Sequence, residues 1–107
     1  MNKRLSVIVL ALAAVATPHP ASANPRLAAE KQCTTCHAMD TGASGPSFQA
    51  IAKKYRDRPE AFDMLVGRVK EGGWGHWGDM MMPQRSEPYR VRDEEAKELV
   101  RWILQLR

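Results

Sequence analysis

The chain has 107 residues, with 16 lysines and arginines against 12 aspartates and glutamates, three histidines and two cysteines. That length leaves room for one small domain, and a formal net charge of +4, mixed in sign along the chain, gives no argument for nucleic acid as a partner. Residues 1–23 read as a secretory signal peptide. Lys3 and Arg4 form a basic start, residues 5–16 are apolar apart from Ser6, and Ala21-Ser22-Ala23 is a small-residue cleavage site. The apolar stretch is too short to span a bilayer comfortably, so cleavage before Asn24 is expected rather than a retained anchor. Cleavage leaves a domain of residues 24–107 with 14 basic and 12 acidic side chains, a net of +2. A domain of this size is only marginally able to build a stable core unaided.

In the mature chain, Asn24-Pro25 pairs a helix cap with proline at the first helical position, and Leu27, Ala28 and Lys31 carry a short helix into Cys33-Thr34-Thr35-Cys36-His37. Residues 42–46 are turn-rich. Phe48, Ile51, Ala52 and Tyr55 then recur at i, i+3, i+4 and i+7, one face of a helix. A third helix begins near Pro59, repeats that spacing through Phe62, Leu65, Val66 and Val69, and stops at Gly72-Gly73. Residues 72–91 have no periodicity and are rich in Gly, Trp, Met and Pro. Asp93 is the expected cap of a last helix whose buried stripe is Ala96, Leu99, Val100, Ile103 and Leu104. The pattern predicts helices and loops without strands.

Two thiols three residues apart followed at once by an imidazole are what covalent haem attachment requires. One turn brings Cys33 and Cys36 to the same side of the backbone, where each thiol can add across a vinyl group, and His37 follows as an axial ligand to the iron. The competing readings of a CxxC pair are weaker. A zinc site needs four soft ligands, and the mature chain offers Cys33, Cys36, His37 and a distant His76. A thioredoxin-like pair belongs in a strand–helix–strand layout that the flanking sequence lacks. A large apolar prosthetic group would supply the core this short domain lacks. It would also consume both cysteines, so no structural disulfide is expected.

The second chemical signal lies in residues 72–91, a loop of about twenty residues of the kind small domains keep for function. Trp74 and Trp77 offer flat apolar surface, and Met80, Met81 and Met82 follow. A thioether is a soft neutral ligand that favours the ferrous state, and a loop can carry it to the iron face opposite His37. On the residues alone any of the three methionines, or His76, could be that ligand. Trp74, Trp102, Met39 and Met64 read as packing residues, and Lys53, Lys54, Arg56 and Arg58 as a solvated helix end.

With these motifs the chain resembles the short class I cytochromes c of bacteria, the cytochrome c-551 type. The resemblance spans nearly all of the mature chain: Gly45-Pro46 after the haem motif, Leu65 and Arg68 on a helix ending in a glycine turn, Gly75-His76-Trp77-Gly78 leading to Met82-Pro83, and an acidic-capped last helix containing Trp102. It implies an all-α fold of four or five helices around one covalently bound haem c, with no sheet, the first and last helices crossing. It implies His37 and Met82 as axial ligands and the Pro46 carbonyl as acceptor from the free ring nitrogen of His37. Arg68 and Trp77 would hydrogen-bond a haem propionate, and Phe48, Tyr55, Leu65 and Val69 would line the pocket. Where the family often continues Met-Pro-Pro-Asn, Pro83 is followed here by Gln84 and Arg85. The asparagine that steadies the axial sulfur is therefore missing, leaving either Gln84 as its substitute or a looser loop.

The function these readings imply is that of a periplasmic monohaem electron carrier, not an enzyme. It would pass one electron from a respiratory complex or dehydrogenase to a terminal reductase or oxidase through transient contacts, as a monomer with no stable membrane insertion. The alternatives are a haem subunit of a larger dehydrogenase, or a five-coordinate haem peroxidase or gas-binding protein.

Overall fold

The computed structural model describes residues 9–15 and 24–107. The basic start and the small-residue site of the expected signal peptide lie outside the described residues. Residues 9–15 form no regular element, and among the described residues no helix is long and apolar enough to cross a membrane.

Four helices follow: α1 (Asn24–Glu30), α2 (Phe48–Tyr55), α3 (Ala61–Glu71) and α4 (Asp93–Gln105). A single 3-10 turn at Cys33–Thr35 follows α1. The all-α expectation holds, since the described residues contain isolated backbone bridges and no strand. The long helix α4 is the centre, packing against α1, α2 and α3. Its Ala96, Leu99, Val100, Trp102 and Ile103 are buried, because an apolar residue at every third or fourth position keeps one face turned inward. Each partner helix contributes to the same core: Ala28 from α1, Phe48 and Ala52 from α2, Val66 from α3. Trp102 meets the Phe48 ring edge-on at 5.2 Å. Ser47 caps α2, its hydroxyl accepting from the Ala50 amide at 3.0 Å. α3 ends where Gly72 takes a φ of 70°.

Several local expectations need correction. Arg92, in an extended conformation, precedes the first turn of α4 and donates its amide to Glu95 Oε1 at 3.0 Å, so Asp93 is not the cap. The Asp93 carboxylate instead faces Lys70 of α3 at 3.0 Å and Lys97 at 2.8 Å. These cations, above all the Lys97 and Lys70 hydrogen bonds, hold its pKa below the ordinary carboxylate value. Asn24 starts α1, but its side-chain oxygen has no hydrogen-bond partner among the described residues. Trp74, expected as a packing residue, is 69% exposed, between Gly73 and Gly75, which both adopt positive φ. Met39 is also exposed.

Candidate functional site

The site grows from the 3-10 turn after α1. Gln32 takes a left-handed conformation, with φ of 59°, that ends α1 and starts the turn. The amides of Cys36 and His37 both return to the Cys33 carbonyl, at 3.2 and 3.0 Å. Cys33 and Cys36 are thereby held on one turn as half-buried free thiols. Burial pushes the Cys33 thiol above its ordinary value, against the pull of Arg85 and Lys31 nearby.

His37 is fixed from three directions. Its Nδ1 lies 2.7 Å from the Pro46 carbonyl. A carbonyl can only accept, so Nδ1 carries the hydrogen and Nε2 of the neutral ring keeps its lone pair. Gly45 lies against the ring, where a Cβ would come 2.8 Å from Cε1. The Phe48 ring stacks on the imidazole with centroids 5.5 Å apart. The returning chain is tied by the Gly45 amide to the Cys36 carbonyl at 2.8 Å and the Phe48 amide to the Ala38 carbonyl at 2.8 Å.

His37 lines an apolar cleft whose walls are Phe48, Ile51, Leu65, Val69, Leu99, Val100 and Ile103, with Cys33, Arg68 and Met82 also lining it. Two adjoining spaces extend it. One lies beside both cysteines and reaches Pro83, Arg85 and Val91. The other opens past Gly45, Pro46, Trp77, Met80 and Met81. His37 and Met82 line all three, so the spaces adjoin as parts of one cleft.

Of the candidates for the second ligand, Met82 is the one in the innermost space. Its backbone is paired to Gly73 in both directions, at 2.9 and 2.8 Å, which folds residues 73–82 back toward α3. Gly72 leaves no room for a side chain there, since a Cβ would stand 2.3 Å from the Met82 carbonyl. Met80 and Met81 are exposed and touch only the outer space. His76 is exposed and lines no part of the cleft; its carbonyl accepts from Lys54 Nζ. Gln84 turns away to the Lys70 carbonyl at 3.4 Å, so it does not stand in for the missing asparagine.

The remaining expected residues divide. Phe48, Leu65, Val69 and Arg68 line the inner cavity, whereas Tyr55 is buried behind it against Trp77, ring centroids 6.4 Å apart. Trp77 lines the outer space alone and carries Lys54 over its ring at 4.3 Å, so Arg68 and Trp77 do not share one part of the cleft. Arg68 donates Nη1 to the Gly72 carbonyl at 3.1 Å, while its buried Nε has no partner. Arg85 and Ile51 escaped the sequence reading. Ile51 was visible only as a helix-face residue, and Arg85 enters the cleft through a bond to the Gln32 carbonyl 53 positions away, which no local pattern foretells.

This cleft fits a haem. Its walls are apolar, its margin carries two thiols on one turn, an imidazole and a thioether border it, and an orphaned buried arginine donor suits an anionic side group.

The comparisons with known proteins agree with this geometry. Residues 22–107 match the sequence model of the cytochrome c family. The chain is 41% identical over 107 residues to cytochrome c-552 of Hydrogenobacter thermophilus, covering all of both chains. It is 42% identical over 74 residues to cytochrome c-551 of Azotobacter vinelandii, covering 69% of this chain and 85% of that one. The crystal structure of wild-type Nitrosomonas europaea cytochrome c552 superimposes with a TM-score of 0.70 at 38% identity, covering 78% of this chain and 99% of the other. A helical frame closed over a CxxCH turn and a family match across residues 22–107 lead to one conclusion: this protein belongs to the cytochrome c family, as a small class I monohaem cytochrome with one covalently attached haem c.

Proposed function

We propose that this electron-transfer protein works in the periplasm, after removal of residues 1–23, carrying one electron at a time between a respiratory complex or dehydrogenase and a terminal reductase or oxidase. The observation that supports the reading is that His37 of one segment and Met82 of another both line one apolar cleft. With both positions supplied by the protein, no coordination site remains for a substrate. The bound haem supplies reversible one-electron chemistry between iron(II) and iron(III). Cys33 and Cys36 would hold it covalently, and His37 and Met82 would ligate its iron.

The other residues tune and protect that chemistry. Pro46 orients the imidazole and, by accepting from Nδ1, strengthens the donor power of Nε2. Phe48, Leu65, Val69 and the α4 residues exclude water, which keeps structural rearrangement between the two oxidation states small. Arg68 offers its unpartnered Nε to a propionate. Met80, Met81 and Pro83, exposed beside the outer space, form an apolar rim for brief docking through a small interface. The protein acts as a monomer.

The test is redox titration of the purified holoprotein with its visible spectrum recorded throughout, followed by addition of carbon monoxide to the reduced form. A reversible one-electron transition and no carbon monoxide binding without denaturant are the expected results. Avid binding would replace this reading with a five-coordinate peroxidase or gas-binding protein. Stoichiometric co-purification with an enzyme would make the chain a dehydrogenase subunit.

A further inference from the structure

The most unusual charge in the cleft belongs to Arg85. It lines the space beside Cys33, Cys36, His37 and Met82 and is half-buried there. Its Nη2 donates to the Gln32 carbonyl at 2.9 Å, which anchors the guanidinium against the turn that carries the thiols. Nearby cations are neutralised by carboxylates: Lys31 by Glu95 at 3.0 Å, and Lys70 and Lys97 by Asp93 at 3.0 and 2.8 Å. Arg85 has no carboxylate within 4.0 Å among the described residues. Arg68, the other unpaired cation of the cleft, is placed to meet a propionate, whereas Arg85 sits at the thiol end.

We propose that Arg85 raises the reduction potential of the haem by placing an uncompensated, anchored positive charge at the thioether end of the cleft. The proposal rests on the reading that Cys33, Cys36 and His37 hold a haem there. Iron(III) carries one more positive charge than iron(II), so a fixed cation disfavours the oxidised state. One electron moves, no proton moves, and no bond forms or breaks. The effect is larger for Arg85 than for a surface lysine because the group is partly withdrawn from water and mobile ions screen it less.

The experiment is spectroelectrochemical titration of the holoproteins of wild type, R85M, R85Q and R85K. R85M removes the charge at nearly constant length, R85Q does so with a polar side chain, and R85K keeps the charge but not the fork. At the wild-type midpoint the oxidised-to-reduced ratio of R85M and R85Q rises about threefold or more. R85K stays much closer to wild type, and the shift in R85M persists at an ionic strength of about 1 M, where exposed charges are screened. An unchanged midpoint in both neutral variants overturns the proposal. So does an equal shift in R85K and R85M, which would assign the effect to the Gln32 clasp rather than to charge. Failure of the underlying haem reading would be distinct: wild type itself would show no reversible one-electron transition.

Discussion

The two sides of the cleft are built on different principles. The His37 side, residues 33–48, is a short segment whose hydrogen bonds close over a few residues and whose end is the first residue of α2, itself packed on Trp102. The Met82 side, residues 72–91, has no helix; the Gly73–Met82 pair closes it on itself, and single side-chain bonds tie it to the body: Arg68 to Gly72, Lys54 to His76, Gln84 to Lys70, Arg85 to Gln32 and Lys31 to Arg90. The first side is a rigid mount. The second is a strap held by single side-chain bonds rather than by helical backbone, and such an element is where local opening is expected. A carrier built this way keeps attachment and imidazole geometry constant and leaves the thioether side open to adjustment.

The largest break in that comparison removes what joins the two sides. A Cys33→Ser, Cys36→Ser protein loses covalent haem and, with the apolar cleft between its helices left unfilled, most of its helical circular dichroism. A retained, cooperative helical fold without pigment would contradict the account. Next comes the support behind the rigid mount. Trp102→Ala destabilises the holoprotein by about 3–5 kcal/mol in denaturant titration, since a large buried ring that contacts Phe48 leaves a hole. Gly72→Ala acts on the strap alone. Its φ of 70° and the 2.3 Å approach to the Met82 carbonyl predict a loss of about 1–3 kcal/mol, together with weaker methionine ligation.

Gly45→Ala is the matching probe of the His37 side. The new methyl would press on the imidazole at 2.8 Å, so a smaller loss is expected, about 1–2 kcal/mol, with an altered potential and intact methionine ligation. If both glycine variants gave the same spectroscopic change, the distinction between mount and strap would fail. The smallest effect belongs to the surface. Asp93 is held in its charged form by Lys97 and Lys70, so its folded pKa is lowered and its stabilising effect is present above about pH 4. That effect fades as pH falls through the depressed folded value. Thermal melts of Asp93→Asn therefore lie slightly below wild type at neutral pH and converge with it in acid.

How much was legible in the sequence follows the same division. The CxxCH turn and the apolar faces of α2, α3 and α4 are local patterns, and burial follows when helices with such faces share one core. Phe48, Leu65 and Val69 could be placed on this basis together with family resemblance. The strap could not, because its conformation depends on contacts between distant residues. Spacing alone did not separate Met82 from Met80 and Met81; that took the resemblance, and in the fold it is the pairing with Gly73 that turns Met82 inward. The same long-range dependence explains why Arg85 went unnoticed, why Trp74 was read as a packing residue and why Trp77 was grouped with Arg68. Arg92, with no capping side chain of the usual kind, hid the start of α4 because a backbone amide to Glu95 replaces the side-chain cap.

The central claim is that the haem iron is closed on one side by His37 and on the other by Met82. The most direct measurement is the near-red absorption of the oxidised protein, where a weak sulfur-to-iron charge-transfer band reports methionine ligation. The account predicts that band in wild type and in Met80→Ala, Met81→Ala, and its absence in Met82→Ala. Persistence of the band in Met82→Ala would contradict it.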